Sequence, residues 1–108
     1  CCLPTYAAIH RQQLLHCFPN FVPGMYQYGD TPDIAGLIAT RALHMNFGDQ
    51  DGGSPIDEVR SGVEVIQKAY ESMHAEDKFS FFIEEDTGHV LSEEMWRRTK
   101  EWFAVHLA

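Results

Sequence analysis

The chain lacks any apolar run near the roughly 18–20 residues that cross a bilayer, so no membrane partner is expected. It also lacks a basic excess. Eight lysines and arginines stand against sixteen acidic residues, for a formal charge of −8 with histidine neutral. A phosphate-backbone binder needs a basic face, so nucleic acid is excluded as an expected partner. Cysteine is scarce: Cys1, Cys2 and Cys17 are odd in number and two are adjacent, which implies no disulfide framework. With His10 and His16 they form the only metal set worth weighing. No C-x-x-C pair or H-E-x-x-H helix supports it, and the three read as ordinary thiols of a reducing compartment, with a lean towards the cytoplasm. Neither metal nor cofactor is expected. The opening Cys1-Cys2-Leu3-Pro4 has no initiator methionine, basic segment or signal-peptide core. It suggests a processed chain or a piece of a longer one.

What is present fits one globular domain spanning 1–108. Of 108 residues, 44% are apolar and 22% charged, the proportions of an ordinary folded protein. No internal repeat, low-complexity stretch or domain linker interrupts them.

Residues 3–17 read as a helix with Pro4 in its first turn and Tyr6, Ile9, Leu14 and Cys17 inward. Proline and glycine punctuate 18–32 as a loop. Asp33 is placed to cap a short helix over 34–39. Residues 42–47, short, largely apolar and followed by a Gly/Asp cluster, predict a strand. Ser54-Pro55 then opens the clearest helix. Asp57 and Glu58 sit near its positive end, and Val59, Val63, Ile66, Tyr70 and Met73 recur at helical spacing. Residues 79–83 predict a second strand and Thr87-Gly88-His89 a turn. Ser92 begins a last helix that runs to about His106 with Met95, Thr99, Trp102, Phe103 and His106 inward.

Strand, long helix, strand, helix is a βαβ unit with a further helix, which predicts α/β architecture with two parallel strands flanked by helices. Ligand sites of open α/β sheets lie beyond the carboxyl ends of the strands. Asp51 follows the first strand and His89 the second, so parallel neighbours bring both to one rim. A carboxylate beside a histidine base is two-thirds of a hydrolytic triad. Alone, each residue has an ordinary explanation: aspartate in a Gly-rich loop forms turns through its own side chain. Asp49 is a rival acid in the same loop. The remaining histidines, His10, His16, His44, His74 and His106, are assigned structural or exposed roles.

The segment Asp33-Ile34-Ala35-Gly36-Leu37-Ile38-Ala39-Thr40-Arg41-Ala42-Leu43 resembles the D-I-A-x-L-I-A-P-R-P-L stretch of α/β-hydrolases. The likeness is to the acetyl-xylan-esterase-like and dienelactone-hydrolase-like branch. Gly48-x-x-Asp51-x-x-x-Pro55 is similar to that group's acid loop, and Gly88-His89 to its histidine turn. The stretch from His16-Cys17 to Pro23-Gly24 is similar to the segment before the acid strand. Thr40 and Thr87 depart from the pattern, standing where it has proline and the first glycine of G-G-H.

The resemblance implies that the chain is the C-terminal βαβα portion of a hydrolase sheet. Asp51 would be the triad acid, favoured over Asp49 by its spacing to Pro55, and His89 the general base. The order acid-then-histidine is that of α/β-hydrolases. No G-x-S-x-G nucleophile elbow occurs in the chain. None of Ser54, Ser61, Ser72, Ser80 or Ser92 has glycines at both offsets.

The expected function is therefore a segment of a serine carboxylic-ester hydrolase that supplies acid and histidine and is inactive alone. Its substrate would be a small ester, with acetylated sugar implied by resemblance only. The alternative is a non-catalytic α/β module that self-associates through an exposed strand edge. A cysteine hydrolase built on Cys17 lacks the electropositive setting that lowers a thiol pKa. Two strands cannot cover the apolar faces of helices 3–17 and 55–74. Exposing large side chains costs roughly 1.5–3 kcal/mol each against a total stability of about 5–15 kcal/mol. The expected partner is the rest of the hydrolase or a second copy of the chain.

Overall fold

The computed structural model describes residues 4–15 and 22–107. Its elements, in chain order, are α1 (Tyr6–Gln12), α2 (Thr31–Gly36), β1 (Leu43–Gly48), α3 (Ile56–Ser72), β2 (Phe79–Glu84) and α4 (Glu93–His106). Single 3₁₀ turns at Met25–Gln27 and Glu76–Lys78 precede α2 and β2. β1 and β2 pair in parallel, with Leu43 opposite Phe79 and Gly48 opposite Glu84. The helix between them makes this a βαβ unit, so the α/β class expected from the element order is the observed one.

Side chains alternate across a strand, and the two faces of this sheet differ. Leu43, Met45 and Phe47 of β1, with Phe79 and Ile83 of β2, pack on the inner stripe of α3. There Val59, Val63, Ile66 and Tyr70 are buried, and the Tyr70 hydroxyl donates 2.7 Å to the Arg41 carbonyl. The expected stripe ends one residue early: Met73 is 54% exposed, because the helix stops at Ser72 and leaves it in the C-cap. His44 and Asn46 point the other way, towards Thr99 and Trp102 of α4.

Three helix starts differ from expectation. The first helix covers only Tyr6–Gln12. Thr5 caps it by accepting from the Ala8 amide, and Gln13 ends it in a left-handed conformation. Leu14 thus lies beyond the helix, and Cys17 lies outside the described residues, as do Cys1, Cys2 and His16.

The cap of α2 is Asp30, not Asp33. Asp33 sits inside the helix, and its carboxylate accepts from the Asp30 amide to complete a capping box. Asp30 serves both short helices, accepting from Thr31 N at 2.7 Å, Tyr6 N at 2.7 Å and Ala7 N at 3.2 Å. One carboxylate thus satisfies the exposed amides at two positive helix ends.

α3 begins at Ile56 rather than at Ser54-Pro55. Pro55 is its N-cap and makes no side-chain cap bond, while the Ser54 hydroxyl is buried without a hydrogen-bond partner. α4 starts as the sequence implies, with Ser92 Oγ accepting from Met95 N. Among the described residues no helix is long and apolar enough to cross a membrane.

Candidate active site

The chain leaves β1 at Gly48 and turns at once through Asp49-Gln50-Asp51-Gly52-Gly53. It leaves β2 at Glu84 and turns through Glu85 to His89, with Asp86 in the left-handed region at φ 50°. Because the strands are parallel and in register, both turns lie at one rim of the sheet.

There the Asp51 carboxylate meets the His89 imidazole, with Oδ2 to Nδ1 at 2.8 Å. Its other oxygen, Oδ1, accepts from the Gly53 amide at 2.8 Å. The turn-forming and imidazole-pairing readings of this aspartate therefore hold together, one oxygen for each. Burial is divided sharply between the partners. The Asp51 side chain is 3% exposed and that of His89 61%. A carboxylate accepts only, so the neutral imidazole carries its proton on Nδ1 and its lone pair on Nε2. An acid fixed behind a histidine, with the opposite ring nitrogen carrying a lone pair, is an arrangement that acid–base chemistry beside a nucleophile can use.

The rival acid has a different partner. Asp49 Oδ1 accepts from the Thr87 amide at 3.3 Å, so it meets the backbone of the histidine turn and not the ring. Ser54 is 1% exposed, beside the acid loop, and donates to nothing described. It is not joined to His89.

A second polar group went unrecognised in the sequence. His44 Nδ1 lies 3.2 Å from Ser80 Oγ and its Nε2 3.2 Å from Asn46 Oδ1. Asn46 Nδ2 donates to Thr99 Oγ1 at 2.9 Å, and that hydroxyl donates to the Met95 carbonyl. Burial pushes the His44 pKa below its usual 6.5, against the Asn46 hydrogen bond that raises it, with Arg98 adding a further downward push. The signal was the alternation Leu43-His44-Met45-Asn46-Phe47, which sends two polar residues to one face. His10 and His74 are exposed, and the His106 ring lies tilted against Trp102, with centroids 4.0 Å apart.

A cleft of about 300 Å³, lined by Tyr70, Glu71, Phe79 and Phe81, lies beside the start of β2, at the end of the strands away from His89. Among the described residues no three of His, Cys, Asp and Glu are grouped to hold a metal ion. Comparison with protein-family models, curated proteins and solved structures found no match. The geometry of the Asp51–His89 pair is therefore what a functional reading stands on.

Proposed function

We propose that the chain is the C-terminal portion of a serine carboxylic-ester hydrolase, in which Asp51 orients His89 and His89 acts as general base towards a serine supplied by another segment. The observation that carries this reading is the 2.8 Å contact between a buried carboxylate and an exposed imidazole beyond the carboxyl ends of two parallel strands. The order acid-then-histidine supports the same assignment, and because the chain holds no G-x-S-x-G elbow the serine has to come from another segment. In the proposed step His89 Nε2 takes the hydroxyl proton as the serine oxygen attacks the ester carbonyl. Asp51 stabilises the imidazolium, and the histidine returns the proton to the departing alkoxide.

Without nucleophile and oxyanion donors, the chain alone has no esterase activity on a short acyl ester such as p-nitrophenyl acetate. Joined to a segment bearing a G-x-S-x-G elbow, it restores turnover, and His89→Ala abolishes it. Removal of a triad member costs orders of magnitude in rate. Turnover by the isolated chain that His89→Ala eliminates overturns the reading.

A second reading, self-association through the edge of β1, draws on one observation. Among the described residues each strand has a single neighbour, so β1 keeps one unpaired backbone edge. A concentration-independent monomer in sedimentation excludes it.

A further inference from the structure

The two acids of the loop after β1 divide the work of placing His89. We propose that Gly48 and Asp49 are positioning residues that clamp the histidine turn onto the end of β1, holding the His89 ring against Asp51. The inference rests on the reading of Asp51 and His89 as acid and base, and concerns what sets their distance.

Three observations carry it. The first is an absence of space. A Cβ on Gly48 would lie 2.2 Å from the Thr87 carbonyl oxygen and 2.4 Å from that of Gly88. Those are backbone atoms, which cannot rotate aside as a flexible side chain would, so only glycine lets the turn lie this close. The second is a ladder that continues past the strands: Asp49 N donates to the Glu84 carbonyl at 3.0 Å and Gln50 N to the Thr87 carbonyl at 2.9 Å. The third is the return bond, in which the Thr87 amide donates to Asp49 Oδ1. Thr87 is thus held through both its carbonyl and its amide, two residues before the histidine.

The consequence is geometric. His89 is mostly exposed, and the contact recorded between its ring and Asp51 joins two different loops. Holding that contact requires the loops to keep their mutual distance, and Gly48, Asp49 and Gln50 help to tie them. Adding a methyl group at Gly48 pushes the 87–88 backbone outward and carries His89 with it. Removing the Asp49 acceptor frees the Thr87 amide and lets the turn open while the strands stay paired.

Nitrogen-15 NMR of the labelled chain tests this without any need for turnover. The His89 resonances are identified by their loss in His89→Ala, and the fold of each variant is followed by its urea transition. The wild-type chain is expected to show the Nδ1–H tautomer, which Asp51→Ala removes. Asp49→Ala is expected to lose the Nδ1–H signal and revert to the Nε2–H form that free imidazoles favour, with a cooperative urea transition kept. Asp49→Asn, whose side-chain oxygen still accepts, is expected to retain the signal. Gly48→Ala is expected to lose it; if that variant does not fold, the Asp49 pair decides alone. Persistence of the Nδ1–H signal in both Asp49→Ala and Gly48→Ala, or its loss in Asp49→Asn as well as Asp49→Ala, overturns the clamp. Absence of the signal in the wild-type chain, unchanged by Asp51→Ala, removes the pair itself and the functional reading with it.

Discussion

The two faces of the sheet are held by different physics. Towards α3 the contacts are apolar: Phe47, Val59, Val63, Ile66 and Tyr70 form a continuous buried cluster. Towards α4 they are a chain of hydrogen bonds, Ser80 to His44 to Asn46 to Thr99, beside one fully buried apolar side chain, Met95. Apolar burial is non-directional and scales with area, so the α3 face supplies most of the stability. The polar face supplies direction. Asn46 Nδ2 donates to Thr99, so its Oδ1 must accept from His44 Nε2–H. That leaves Nδ1 as the acceptor for the Ser80 hydroxyl. Such a chain is satisfied only when α4 sits at one height along β1.

The largest effect that separates the faces is expected from Phe47→Ala. The side chain is 2% exposed within the α3 cluster, and its loss costs about 3–5 kcal/mol through transfer and cavity terms. Urea denaturation reads this as a lower midpoint with an unchanged slope. A cost below 1 kcal/mol would show that this core is not what holds the fold.

Asn46→Ala strikes the polar face and is expected to cost less, about 1–3 kcal/mol, because it strands the His44 N–H while Thr99 keeps its bond to Met95. The same urea titration checks it. Asn46→Asp sharpens the comparison, since it keeps an acceptor for His44 but loses the donor to Thr99.

The smallest effect is the dependence on pH. The folded-state pKa of His44 lies below its unfolded value of 6.5, chiefly because burial disfavours the charged ring. Between those two values the unfolded chain binds more protons, so stability rises with pH there. The contribution is complete above 6.5, declines as pH falls from 6.5 to the folded-state pKa, and changes no further below it. His44→Gln is expected to flatten that part of the stability–pH curve. A curve identical to wild type across the window would show that His44 is not the group responsible.

Much of this was legible in the chain. The α3 stripe follows from helical periodicity, and Ser92 announces α4 as an N-cap. That the acid loop and His89 share one rim follows from two strands of one βαβ unit ending there. The choice between Asp51 and Asp49 does not follow from the spacing of the residues alone. Two positions apart in one loop, they differ only in which way the backbone turns each carboxylate, one to the ring and one to the Thr87 amide. That Asp30 also serves α1 does not follow from any local pattern, because the Tyr6 and Ala7 amides lie more than twenty residues back in the chain. Ser54-Pro55 predicts a helix start, yet the turn buries the Ser54 hydroxyl instead.

The sequence by itself determined the order of helices and strands, the parallel pairing that a helical crossover imposes, and the rim to which acid and histidine belong. Those follow from near neighbours: periodicity, caps and turn residues act over a few positions. Only the tertiary structure decided which carboxylate holds His89, why residue 48 must be glycine, and how His44 is wired to α4. These depend on strand register and loop approach, where one residue of slip turns every side chain to the other face. Neither is set by any short stretch of the chain.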